Sequence, residues 1–480
     1  MTLSAVDYAV IGVYLLAITA FGSWFARYQK TTRDYFLTDR SVPWWAICFT
    51  VVATETSTLT FIGIPAQAYG GNMTFLQLAL GYIIGRILVS ILFIPAYFRR
   101  ELFTSYELLQ RRFGTKVKTL AAVIFLITRS LADGIRLFTT ALVISIVTQV
   151  PVTWVVLLLG AAMIVYTMRG GVSAVIWTDV VQMFVYLAGA IAVAVALLNR
   201  IDGGWAEVVR VGRETGRFAV IDASFDLSKA YTLWAGLLGG VALTLSTHGT
   251  DQYLVQRLLS ARSAKEASRG LVLSGFIVFA QFVLFLLIGV MLYAYYLQVP
   301  VPQSLSRTDQ ILPIFVVSEL SNGLAGFIVA AIVAAALSPS LNAMAATTIS
   351  DFYLPYINPS ADQATQMRMS KLATVGWGIV QLAVAIGAQF MQRSVLDAGL
   401  AVLSFASGSV LGAFLLGTLA PSVSERDTFT GMLAGLAVMT AVWWGTPVAF
   451  TWYVLIGAVT TCVVAFAMSR VAPPAASPRA

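Results

Sequence analysis

Long apolar runs bounded by charges or by Pro/Gly clusters recur along the chain, at lengths suited to a bilayer, which a helix crosses with roughly 20 apolar residues. They fall near 5–27, 43–69, 75–97, 117–148, 151–168, 172–199, 230–258, 269–297, 321–351, 366–391, 394–420, 428–446 and 448–470. The pattern predicts an all-α integral membrane protein of about 13 transmembrane helices. Glu207 to Asp226, the longest polar stretch, predicts an external capping loop with short helices, and the tail VAPPAASPRA predicts no fold of its own.

Of the 480 residues, 59% are hydrophobic and 11% charged, against about 25% charged in a soluble domain. About a dozen spans with short loops exhaust that length, which leaves no room for a soluble catalytic or nucleotide-binding domain. The net charge of +8 is scattered through loops, whereas nucleic-acid binding gathers basic residues on one patch. Cys48 and Cys462 lie in apolar runs without ligand spacing, which excludes disulfide and zinc frameworks. No P-loop lysine, HExxH or Ser/His/Asp pattern points to an enzyme or a primary pump. The start, MTLSAVDYAV, has no basic leader or cleavage pattern, so its apolar run is expected to stay as a helix.

Lys and Arg accumulate on the cytoplasmic side. With the N-terminus outside, 20 of the 30 basic residues fall in inner segments, 7 in outer ones, and Arg86, Arg129 and Arg136 within spans. This predicts a multi-pass plasma-membrane protein with its N-terminus outside and its C-terminus cytoplasmic.

Ionisable groups at the bilayer centre cost at least about 2.5–3.5 kcal/mol, so they face the bundle interior or a water-filled path. Arg129, Asp133 and Arg136 share one helix face at i, i+4 and i+7. Either they form a structural ion pair completed by Asp179 or Glu55, or one arginine is left to hold an anionic solute. In the second span, Thr54, Glu55, Thr56, Ser57, Thr58 and Thr60 precede Gly63 and Pro65. A helix break there would offer carbonyls to a cation, and breaks are tolerated where they line a cavity. The seventh span repeats the pattern with Ser246, Thr247, His248, Gly249, Thr250 and Asp251. Matched interruptions in two halves mark the binding site of a secondary transporter; continuous helices with Ser/Thr back-bonding are the alternative. Pro339, inside the ninth span, would leave the Ala335 carbonyl to a cation or simply kink the helix. His248, the single histidine, is expected to be neutral and hydrogen-bonded in the broken helix.

Four segments resemble the sodium/solute symporter family, whose members carry sugars, monocarboxylates, proline, vitamins and sialic acids. They are YTMRGGVSAVIWTDVVQ (Tyr166 to Gln182), GTDQYLVQRLLSARS (Gly249 to Ser263), DYFLTDRSVPWWA (Asp34 to Ala46) and SLNAMAATTISDFY (Ser340 to Tyr353). The resemblance implies a LeuT-type 5+5 inverted repeat with one extra N-terminal and two extra C-terminal helices. Its divisions would be 1–42 (first helix and cytoplasmic loop), 43–199 (first repeat), 200–229 (extracellular loop), 230–420 (second repeat) and 421–480 (last two helices and tail).

It also implies cation-coupled symport of a small organic solute by alternating access, with Na+ or a proton as the coupling ion, in a monomer or homodimer. The cation ligands would fall on the carbonyls of Ala53, Thr56 and Ile332, beside the Ala335 carbonyl that Pro339 leaves as a candidate. The family's paired hydroxyl ligands fall on Ala335 and Ala336, which have none. Ser338 and Asp179 match a second sodium site of some members. Glu55 stands where sugar carriers have an asparagine, and its carboxylate is a candidate cation ligand or proton site. The sugar-gating aromatic falls on Thr247, which disfavours a sugar. Arg129 and Arg136 favour a small organic anion, with Glu55, Thr60, Ser246, Thr247 and His248 as further solute contacts. An uncoupled facilitator of the same fold, or a channel or sensor, is the competing expectation.

Overall fold

The computed structural model describes residues 3–28, 31–99, 102–301, 308–336, 340–390 and 395–471. They are helical throughout, with no strand among the described residues beyond an isolated bridge between Val42 and Ala261.

The chain enters with α1 (Ala5–Trp24), started by Ser4, whose hydroxyl accepts from the Asp7 N–H while Asp7 reaches back to Ser4. The second predicted span is two helices, α2 (Trp44–Glu55) and α3 (Thr58–Gly70), bent by 63° at the break. Next come α4 (Leu76–Leu92), α5 (Thr115–Thr148) and α6 (Val152–Leu198). At 47 residues α6 is about 70 Å long, more than twice a hydrocarbon core. It is two spans joined at Gly171, whose φ of 57° and ψ of −156° only glycine adopts without strain.

The seventh span is also interrupted. A π-helical turn (Ala235–Gly240) leads into α7 (Val241–Gly249), and α8 (Gln252–Leu259) follows after a break. Then come α9 (Ala264–Gln298), α10 (Leu324–Ala336), α11 (Leu341–Thr347), α12 (Gln363–Gly387), α13 (Val395–Leu419), α14 (Glu425–Gly445) and α15 (Tyr453–Val471). Nine described helices are long and apolar enough to span, ten with α2 and α3 taken as one. The shortfall from about thirteen has local causes: α6 merges two spans, and the seventh and ninth consist of pieces too short to qualify singly. Pro339 and Ser338 lie outside the described residues.

The arrangement sets the broken helices at the centre. The long α9 packs on α2, α3, α4 and α6, while α5 packs on α6, α12 and α13. α4 meets the π-helical turn so closely that a Cβ on Gly81 would lie 2.0 Å from the carbonyl oxygen of Gly236. Small residues at such crossings let backbones approach where lipid provides no hydrophobic drive. α14 and α15 pack with α13 at the edge of the bundle.

Candidate functional site

Two adjacent residues, Thr56 (φ −81°, ψ 105°) and Ser57 (φ −110°, ψ 173°), leave the helical region and break the second span. The Thr56 N–H still donates to the Val52 carbonyl at 3.0 Å. The Ser57 N–H turns to Thr60 Oγ1 at 3.3 Å and no longer reaches back to Ala53. Thr60 in turn donates to the Glu55 carbonyl at 3.4 Å. No hydrogen bond among the described residues takes up the carbonyls of Ala53 and Thr56.

The second break, at Thr250 and Asp251 (φ −75°, ψ 121°), is finished differently. Asp251 caps α8, accepting from the Tyr253 N–H at 2.9 Å. The Thr250 carbonyl accepts from Ser105 Oγ at 3.1 Å, and that of Gly249 from the Tyr97 hydroxyl. Side chains therefore take up the Gly249 and Thr250 carbonyls at the second break, while those of Ala53 and Thr56 at the first stay available.

The ionisable groups within the bundle are mostly paired across helices. Arg86, wholly buried, meets the Glu55 carboxylate, and its Nη2 lies 3.3 Å from His248 Nε2. An arginine can only donate, so Nε2 accepts and the proton sits on Nδ1, 2.9 Å from Thr247 Oγ1. Arg129 pairs with Asp251, lies 3.5 Å from Asp133, and stacks its guanidinium 4.6 Å above the Tyr253 ring. Asp251 thus completes the pair, the place that Asp179 or Glu55 was expected to take. Asp179 sits elsewhere, accepting from Thr50 Oγ1 at 2.6 Å and from Arg257 Nη2 at 3.1 Å.

A cavity of about 130 Å³ lies between the two breaks. Glu55, Ser57 and Thr60 line it from the first, Thr244, Thr247 and His248 from the second, and Arg129 and Arg136 from α5. Arg136 differs from Arg86, Arg129 and Arg257: its guanidinium has no hydrogen bond or ion pair among the described residues, and its Nη1 is buried and unpartnered. Ser246 turns the other way, donating to the Ser407 carbonyl in α13 at 3.2 Å.

On the far side of the first break, α10 approaches. Ile332 is fully buried, and its carbonyl accepts from Thr58 Oγ1 at 3.2 Å. Thr140 of α5 donates to Thr58 Oγ1 at 2.8 Å. Ala335 is 2% exposed and brings no side-chain oxygen. Carbonyl and hydroxyl oxygens are the donor chemistry a hard cation takes. Gln281 Nε2 donates to Thr56 Oγ1 at 2.7 Å and holds that residue in place.

The pattern of the sodium:solute symporter family matches residues 35–435. The chain belongs to that family. The symporter is 30% identical to the sodium/sialic acid symporter NanT of Aliivibrio fischeri over 470 residues, 96% of this chain and 92% of that one. It is 30% identical to the human sodium/iodide cotransporter over 454 residues, 91% of this chain and 69% of the relative. A solved Na+-coupled sialic acid symporter, substrate-bound and outward-open, superposes with a TM-score of 0.91 at 28% identity, covering 98% and 99% of the two chains. The architecture is LeuT-type, and the protein is a secondary active transporter that couples a cation to a small organic solute.

Within the symporter, Glu55, Thr60, Arg129, Arg136, Thr247 and His248 meet at one cavity, and Ala53, Thr56 and Ile332 lie beside the first break. Ser338 lies outside the described residues. The Glu55 carboxylate, a candidate cation ligand or proton site, pairs with Arg86. Sequence reasoning missed Arg257, at the end of the seventh span and 1% exposed, as the partner of Asp179. It also missed Tyr253 beneath Arg129. Both stand in the GTDQYLVQRLLSARS segment, whose concentration of polar side chains on a short helix was the available signal.

Proposed function

We propose that this protein is a sodium-driven symporter of a carboxylate-bearing solute, with an acidic sugar of the sialic acid type as its first candidate. The observation that carries this reading is Arg136, the guanidinium without a partner at a cavity shared by two broken helices. Its Nη1 is buried without a partner, an expensive arrangement for a charged group, and a bidentate carboxylate is the ligand a planar guanidinium matches best. Ser57, Thr60, Thr244 and Thr247 line the same cavity and bring hydroxyls suited to a polyhydroxylated body. The relatives named above are called sodium carriers, and their solutes are anions. A proton in place of sodium lacks support, since the carboxylate that would titrate, Glu55, is matched by Arg86.

Sodium would be held by the carbonyls of Ala53, Thr56 and Ile332, where its charge helps compensate the oxygens released by the break. It drives the cycle by favouring the conformation in which that site and the cavity are both formed, which is the differential affinity alternating access requires. The charge bias of the loops supports an external N-terminus.

A cavity of about 130 Å³ is small beside the ~300 Å³ at the lower end of ligand pockets. That size favours a short monocarboxylate as the second reading. Binding to purified protein in sodium separates the two. N-acetylneuraminate, its methyl ester and lactate are compared by calorimetry, on wild type and Arg136→Ala. The first reading expects the free acid to bind, the ester to fail, and Arg136→Ala to lose the distinction. Binding of lactate alone would favour the second, and equal binding of acid and ester would remove the carboxylate argument.

A further inference from the structure

We propose that Thr58 supplies a hydroxyl oxygen to the coupling-cation site, positioned by the hydroxyl of Thr140, in place of those that Ala335 and Ala336 lack; this rests on the reading that sodium lies between the first break and α10. Both threonines are wholly buried. Thr58 is the first residue of α3, directly past the two extended residues that free the Ala53 and Thr56 carbonyls. A hydroxyl there would ordinarily serve its own helix. This one crosses 274 positions of sequence to the carbonyl of Ile332, at 3.2 Å.

That spacing suits a shared cation. Hard ions of calcium's size bind oxygens at about 2.3–2.6 Å, which puts neighbouring ligands at right angles roughly 3.3–3.7 Å apart. Thr58 Oγ1 and the Ile332 carbonyl oxygen need only a few tenths of an ångström to open into such an edge. Released carbonyls of α2 stand on the same break.

The proton on Thr58 also has somewhere to go. In the structure the string runs from Thr140 to Thr58 to the Ile332 carbonyl. A cation on Ile332 and Thr58 needs the lone pairs of both oxygens, so the Thr58 hydroxyl must turn away. Thr140 Oγ1, 2.8 Å off, accepts it once its own proton points to the Arg136 carbonyl, 3.0 Å away. The hydroxyls rotate and no covalent bond changes. The reversed string ends on the Arg136 backbone carbonyl in α5.

The test is thermal unfolding of the purified full-length protein against sodium concentration, at constant ionic strength made up with potassium. Wild type is compared with Thr58→Val, Thr58→Ser and Thr140→Val. A sodium-specific rise in melting temperature is expected in wild type and Thr58→Ser, with a midpoint shifted at least about tenfold in Thr58→Val and in Thr140→Val. Adding Ala335→Ser to Thr58→Val is expected to restore part of the loss. A midpoint in Thr58→Val equal to wild type overturns the proposal and leaves the sodium reading standing. Absence of any sodium-specific rise in wild type overturns that reading itself. Should Thr58→Val not fold, an unchanged midpoint in Thr140→Val overturns the proposal equally.

Discussion

The wholly buried guanidinium of Arg86, in α4, pairs with the carboxylate of Glu55 at the end of α2. The pair ties the last turn before the first break to the neighbouring helix, and His248 of α7 joins on the other side of the guanidinium. Breaking a buried pair by removing one partner costs about 3–5 kcal/mol, whereas replacing both by apolar groups is often neutral. Glu55→Leu and Arg86→Met should each lower the melting temperature, and the double variant should recover most of the loss. Sodium dependence of transport should persist in the double variant, measured as uptake in sodium against potassium. A double variant that folds but has lost its sodium dependence would return Glu55 to the cation.

Arg129 and Arg136 stand two turns apart on α5 and should answer differently to truncation. Arg129→Ala strands Asp251 and Asp133 in the bundle, so stability should fall by several kcal/mol. Arg136→Ala removes a charge that has no partner, so stability should hold or rise. Its solute affinity should drop instead, by the ~1.5–3 kcal/mol of a charge-assisted hydrogen bond, roughly ten- to a hundredfold. Arg136→Lys should keep part of it, since an ammonium cannot form the planar fork. Unfolding curves and binding isotherms on the same preparations check both halves.

The contrast between these arginines bears on how far the sequence could be read. Their spacing of i and i+7, with Asp133 between, put them on one face and showed that one acid could not serve both. Which arginine would be spare was not legible. The decision rests on Asp251, 122 positions from Arg129, and no local spacing encodes such a contact. The pairing of Arg257 with Asp179, 78 positions apart, was hidden for the same reason. The two breaks were legible because hydroxyls, glycine and charge interrupt runs that are otherwise lipid-soluble. Ser246 stands beside Thr247 in one such run, but successive residues on a helix point about 100° apart. Its hydroxyl faces α13 while Thr247 faces the cavity.

Gly171 joins the two halves of α6 with φ 57° and ψ −156°. An alanine there would hold a strained backbone at a cost of about 1–3 kcal/mol. Gly171→Ala is expected to lower the melting temperature accordingly, while Gly12→Ala, where a Cβ meets nothing within 4 Å, should leave it unchanged. Equal melting temperatures for Gly171→Ala and wild type would mean that the kink relaxes without cost.

Solute accumulation in proteoliposomes speaks to the whole scheme. Vesicles holding the wild-type protein are given labelled N-acetylneuraminate outside, with an inward sodium gradient or with potassium in its place. If sodium and a carboxylate share one cycle, the label should rise inside above its outside concentration only with the sodium gradient. Collapsing that gradient with an ionophore should release it. Label that merely equilibrates, to the same level with either cation, would contradict sodium-driven transport of this solute.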